Sequence, residues 1–362
     1  MRPTRVTSAV AAALALVGLA ACAPATTDSS PQATVSVAPA SATPTLPAAP
    51  EDPRPEVIWP LTGLDASDAS AAELARPALS IKIENSAAAR PQENLDQADV
   101  VFEEYVEAGI SRLIAVYHSQ MPDSVGPVRS MRPMDRNIMG SFAGPLVFSG
   151  AQNRFVTATV NSGQQVITQD IGSYGFYRTS GRRAPHNLHA YLDKILEQAD
   201  DEMTTPPEQW AIAYPEETAT AQVEGSDASS IQIHMSSYSN PSWRWDASKE
   251  LWMRSEGSSP HVTMAGVQLS ATNVVMLWVS VEYTSGNAKT SVPETLVAGR
   301  SGAGYVVSGD RMIPIEWSKA GQYEPFVLTT EAGDPVALMP GQTWFELIPN
   351  KGVGHPTSID IS

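Results

Sequence analysis

The chain holds a single cysteine in 362 residues, so it can close no disulfide within itself and must rely on its core for stability. Lysine is scarce too: six lysines stand against seventeen arginines. Positive charge as a whole is short, leaving a formal net charge of −16. So acidic a chain repels a polyanion, which excludes nucleic acid as an expected partner. After the first twenty residues no apolar run is long enough to cross a bilayer as a helix. No Gly-x-Ser-x-Gly, no Walker loop and no nucleophilic cysteine is present, and no repeat period is evident, so no residue can be assigned as catalytic.

What is present begins at the N-terminus. Arg2 and Arg5 precede the apolar run Ala9–Leu19, which ends in Leu19-Ala20-Ala21-Cys22. A short charged-then-apolar leader of this kind reads as a signal peptide, residues 1–22. Its last four residues resemble a bacterial lipobox, which implies a diacylated Cys22 as the first mature residue. Two acyl chains anchor firmly where one is marginal. The expected location is the outer face of the cell membrane, held by lipid. Residues 23–55 are mostly Ala, Pro, Ser and Thr and lack the apolar content to fold, so a disordered tether is expected.

Globular patterning starts near Val57-Ile58-Trp59. The runs "ALSIKIE" (Ala78–Glu84), "DVVFEEYV" (Asp99–Val106), "SRLIAVYHS" (Ser111–Ser119) and "PLVFSG" (Pro145–Gly150) read as strands, several buried on both faces. Glu107–Ile110 joins the second and third as a hairpin. Pro133 suits a first helical position, with Met134, Ile138 and Phe142 on one face. A second helix is expected over Asn187–Ala199, with Leu188, Leu192 and Ile195 as its stripe and Asn187 as its cap. These elements predict a layered α/β domain with a mixed sheet over 57–203. Prolines and acids mark 204–227 as a linker. The run 228–352 reads as mainly β, making the whole α+β. Six tryptophans fall there, Trp243, Trp245, Trp252, Trp278, Trp317 and Trp344. Aromatics on strands suit a core first and a carbohydrate-stacking face second.

"PLTGL" (Pro60–Leu64), "IKIENSAAARPQENLDQADVVFEEYVEAGISRLIAVYHS" (Ile81–Ser119), "VGPVRSMRP" (Val125–Pro133), "RRAPHNL" (Arg182–Leu188) and "LMPGQTWFELIP" (Leu338–Pro349) together resemble the YerB-like bacterial lipoproteins. The resemblance implies a two-domain, lipid-anchored envelope protein built of domains of unknown function. It implies no catalytic residue, and no cofactor or metal is expected.

Eight arginines and no lysine lie between Arg112 and His186, against three acids. The positive charge of an acidic chain is therefore concentrated. Guanidinium forks match carboxylate and phosphate. If the loops 126–136 and 177–187 converge, Arg129, Arg132, Arg178, Arg183 and His186 line an anion site at a strand end, near Ser149-Gly150. Arg132, before Pro133, is placed at a helix entrance, where Arg129 and Arg132 flank free N–H groups. Asp135 fits that helix's dipole or pairs with an arginine. Glu103 or Glu104, one facing inward and one outward, is expected to support His186. The alternative is that the arginines are solvated or pair with Glu103, Glu104 and Glu107. Function classes that fit are a binding lipoprotein for an anionic cell-envelope ligand, an envelope transferase or hydrolase with His186 moving the proton, and a scaffold for another membrane protein.

Overall fold

The computed structural model describes residues 52–287 and 290–362. Cys22 and nearly all of the expected tether lie outside the described residues. The fold is α+β: a mixed sheet in the N-terminal part, strand-rich structure in the C-terminal part, and few helices.

The N-terminal strands are β1 (Leu79–Glu84), β2 (Val100–Tyr105) and β3 (Ser111–Tyr117). The latter two form the antiparallel hairpin that the sequence suggests. After helix α1 (Asp135–Met139) come β4 (Leu146–Phe148), α2 (Asn153–Asn161), β5 (Val166–Thr168), β6 (Phe176–Arg178), β7 (Leu188–Tyr191) and α3 (Leu192–Leu196). The C-terminal part supplies β8 (Ser230–His234), β9 (Pro241–Asp246), β10 (Leu251–Glu256), β11 (Asn273–Tyr283), β12 (Arg300–Ser308), β13 (Arg311–Lys319), β14 (Thr343–Lys351) and β15 (Ser358–Ile361).

One twelve-stranded sheet runs through both parts, with β13-β12-β11-β14-β2-β3-β1-β4-β5 as its continuous path. The join is β14, which pairs in parallel with β11 on one side and β2 on the other. Side chains on a strand alternate between faces, so the continuous apolar runs bury both. Phe102, Ile114, Phe148 and Phe345 face one core, closed by Met134, Ile138, Phe142 and Phe155. Ile81, Val101, Leu113 and Trp344 face the other, covered by α3 and by a second sheet. That second sheet contains β10, β9, β8 and β15, and brings in Trp243 and Trp252.

Two helix expectations are corrected. Helix α1 starts at Asp135, two residues past Pro133, and continues as a 3-10 turn through Phe142. The Leu188/Leu192/Ile195 stripe is split. Leu188–Tyr191 is a strand because it pairs with Ser124–Val125 and β6, and only Leu192–Leu196 is helical. Strand pairing on both sides overrides a helical spacing of three apolar residues.

Phe102 of β2 stacks on Phe345 of β14 with ring centroids 4.5 Å apart. Phe142 and Phe326 close around the same ring. We expect Phe102→Ala to remove about 3–5 kcal/mol, measured by denaturant unfolding. One shared sheet also predicts one transition, so tryptophan emission and far-UV circular dichroism should melt together.

Candidate functional site

The charged side chains gather where β1 and β4, parallel neighbours, part at their carboxyl ends. The segment Pro127–Met131 is wedged into that gap. The Arg129 N–H donates to the Lys82 carbonyl at 2.8 Å and the Glu84 N–H to the Pro127 carbonyl at 2.9 Å. On the other side, the Ser149 N–H reaches the Arg129 carbonyl and the Met131 N–H the Gly150 carbonyl, at 3.0 and 3.1 Å. Gly150 has φ 87°, and a Cβ there would lie 2.6 Å from Ser130 Oγ. Glycine suits this angle, and a Cβ would also oblige the Ser130 hydroxyl to turn away.

In register, Glu84 opposes Arg112 on β3, and Arg112 opposes Glu104 on β2. Alternation puts Lys82, Glu84, Arg112 and Glu104 on one face. Lys82 is fully buried and bridges Glu104 and the Asp135 carboxylate, the latter at 2.9 Å. Asp135 also accepts the Arg132 N–H at 2.9 Å. The entrance of α1 is thus occupied by the chain's own carboxylate, and with five residues this helix offers no open anion site. Burial, then the Asp135 charge, pushes the Glu104 carboxyl up to about 8, with Lys82 opposing.

Glu103 points to the opposite face and is equally buried. It accepts from Arg254 and Ser111, and from Asn85 at 3.2 Å. Arg254 lies 3.9 Å from Glu346, which accepts the Trp243 indole N–H at 3.0 Å. Burial and the neighbouring Glu103 raise the Glu346 carboxyl well above its ordinary value. The expectation of one inward and one outward glutamate is therefore corrected, because both faces of the sheet are covered. Neither Glu103 nor Glu104 touches His186.

The carboxylate that does is Glu84. His186 Nδ1 lies 2.9 Å from Glu84 Oε1, and Ser86 Oγ donates to the same oxygen at 2.8 Å. Arg129 Nε stands 3.5 Å from Glu84 Oε2, too far for a hydrogen bond. So loops 126–136 and 177–187 do meet, with Arg129 and His186 on either oxygen of one carboxylate. Arg132 behaves differently. It makes two contacts with Glu107, at 2.8 and 2.6 Å, and donates to the Met131 carbonyl at 2.7 Å. Arg178 donates to Asn187 Oδ1 at 3.0 Å. Arg183 is exposed and forms no side-chain bond among the described residues. Asn187 is no helix cap: its amide ties the loop shut through the Thr179 and Arg182 carbonyls.

Arg112 was not among the candidate residues, yet it is the most confined guanidinium of this group. Its Nη1 donates to the Ser130 carbonyl at 3.0 Å, while its buried Nε has no partner. Burial pushes it down to about 10, helped by the charges of Arg132 and, more weakly, Arg129, with Glu107 opposing. No sequence signal separated it from a surface arginine on an edge. Glu84 and Lys82 were hidden because "IKIE" alternates charge with isoleucine, the pattern of a half-exposed strand. Of the other histidines, His189 pairs with Glu93 at 2.6 Å and is pushed down by burial.

Residues 61–205 match the N-terminal domain, and 231–345 the C-terminal domain, of a family described as "Protein of unknown function (DUF3048)". The chain belongs to the DUF3048 family. A relative of this DUF3048 protein is "Putative lipoprotein YerB" of Bacillus subtilis (strain 168), 25% identical over 303 residues, spanning 80% of this chain and 86% of YerB. The crystal structure of YerB from Bacillus subtilis superposes with a TM-score of 0.70 at 21% identity, covering 84% of this chain and 100% of the other. YerB thus shares the fold. Among the described residues of the DUF3048 chain, no helix is long and apolar enough to cross a membrane.

In the folded DUF3048 protein Glu104 keeps its proton where an unfolded glutamate, near about 4.3, has lost it. Its contribution to stability is full below that ordinary value and declines as pH climbs through about 8. We expect unfolding free energies measured between about pH 5 and pH 8 to fall less steeply in Glu104→Gln than in the parent.

Proposed function

We propose that this protein is a lipid-anchored lipoprotein on the outer face of the cell membrane that binds an anionic ligand of the cell envelope. The anchor would be Cys22. The ligand would sit against Arg129 and His186, with Arg112 behind them and Arg183 on the adjoining loop. Support for the lipoprotein part comes from the leader, the lipobox-like Leu19-Ala20-Ala21-Cys22 and the name carried by YerB.

One observation carries the anion reading: positive charge is left over around Glu84. Three guanidiniums, those of Arg112, Arg129 and Arg132, stand beside Glu84 and Glu107; Asp135 also acts on Arg112, but it is already bridged to Lys82. Among the described residues the terminal nitrogens of Arg129 make no hydrogen bond, and its side chain is 24% exposed. A planar fork with free nitrogens beside a histidine suits carboxylate or phosphate. Arg132 takes a structural part in this reading, holding Glu107 and the loop, and Arg178 orders Asn187.

A second reading has an observation of its own. Glu84 holds His186 by Nδ1, and among the described residues Nε2 has no hydrogen-bond partner on a ring 31% exposed. That is how a carboxylate orients an imidazole for proton transfer. It supports an envelope transferase or hydrolase acting on phosphorylated or glycan wall precursors, with Arg129 facing the developing charge.

Calorimetric titration with inorganic phosphate and with carboxylate- or phosphate-bearing cell-wall fragments tests the first reading. Arg129→Ala should weaken binding at least tenfold, about 1.4 kcal/mol, while unchanged affinity would count against it. For the second, a His186→Ala protein that fully complements a deletion strain would remove it.

A further inference from the structure

The six tryptophans between Trp243 and Trp344 divide into two kinds. Trp243, Trp252, Trp317 and Trp344 are buried and belong to the core. Trp245 is half-buried, and its indole N–H has no partner among the described residues. It leans on Trp252, ring centroids 5.7 Å apart, and lines a cavity of about 480 Å³. Pockets for small ligands span about 300–1,000 Å³.

We propose that this cavity is a saccharide-binding site, sharing no residue with the Arg129 site. Five segments build it: β9 with the β9–β10 turn, the β12–β13 turn, the segment before β8, Thr272 before β11, and Met339-Pro340 before β14. They bring carboxylates from Glu216, Glu217, Glu250 and Asp310, and the Gln222 amide, around the indole. The first three carboxylates are exposed and make no side-chain hydrogen bond or ion pair among the described residues. A pyranose presents an apolar C–H face to an indole and a rim of hydroxyls that donate and accept. Carboxylates take the donated hydrogens, while the Trp245 N–H and Lys249, which lies 3.5 Å from Asp246, serve hydroxyl oxygens; the Gln222 amide already donates to the Ser308 carbonyl at 2.6 Å.

The test follows the indole N–H resonances of the full chain by NMR during titration with glucose, N-acetylglucosamine and glucosamine. A saturable shift of the Trp245 signal with either neutral sugar, with Trp278 unmoved, is the expected result. Trp245→Ala should abolish that binding and Trp245→Phe should retain part of it. Glu217→Gln, on an exposed turn where folding is not at stake, should weaken it several-fold. The proposal is overturned if no sugar gives a saturable shift, or if glucosamine alone binds, which would mark a cation site. Unchanged affinity in Glu217→Gln or Trp245→Ala overturns it equally.

Discussion

The fold depends on one buried guanidinium. Arg254, on β10 of the smaller sheet, is fully buried and reaches Glu103 on β2, Glu346 on β14 and Glu256 on its own strand. It also faces the rings of Trp243 and Trp344. These residues come from both family domains, so the charge cluster and the parallel β2–β14 ladder tie the same two segments together. A buried charge without partners costs several kcal/mol, whereas a complete cluster is tolerated. Neither half can keep the whole cluster alone: Glu103 would lose its cation, and Arg254 would keep Glu256 and Glu346 but lose Glu103, its nearest partner.

The same rule applies on the other face of β2. Lys82 is satisfied by Glu104 and Asp135, which fixes α1 over the strand ends and holds the start of the arginine loop through the Arg132 N–H. Two ionic clusters, back to back through one strand, make this end of the sheet stiff. The side chains at its rim are consequently placed by a rigid support, a requirement for any group that must meet a ligand without rearranging. Arg129, Arg112 and His186 inherit their positions from β1 and β3 and from the loop that β7 pins in place.

Much of this was legible in the sequence, because periodicity reports burial. The runs "DVVFEEYV", "SRLIAVYHS" and "NVVMLWVSVEY" become the strands their apolar content suggests, and "SWRWDASKELWMRS" becomes the hairpin β9–β10. What failed was local reasoning about ends. Pro133 marked a turn rather than a helix start, and Leu188 joined a strand because partners far along the chain claimed it. At the site, charge clustering raised the meeting of loops 126–136 and 177–187 only as a condition, and its centre was not legible. Glu84, Arg112 and Lys82 read as ordinary charges on an alternating strand. Only the tertiary fold, by covering both faces, turned them into buried partners. Arg132 illustrates the same gap: its pairing with Glu107 was one of the open alternatives, and nothing in one dimension chose it over an open fork.

Glu84 also constrains what any anion at Arg129 must do. Its carboxylate is already the counter-charge for Arg129 and the hydrogen-bond partner of His186, so a ligand competes with a group that is tethered, nearly buried and never diluted. The contest is uneven between the two partners. His186 gives Glu84 a hydrogen bond at 2.9 Å, whereas Arg129 approaches only to 3.5 Å with Nε and keeps its outer nitrogens free. An anion could therefore take the outer edge of Arg129 without displacing Glu84, leaving the inner carboxylate to orient both side chains. In that arrangement Glu84 lowers the attraction for a bare charge, because it cancels part of the field at contact distance. It favours instead a guest that supplies paired oxygens in the plane of the fork, where geometry adds to charge. If Arg129 takes an anion as proposed, this orienting carboxylate would make the site discriminate among anions by shape rather than gather them all.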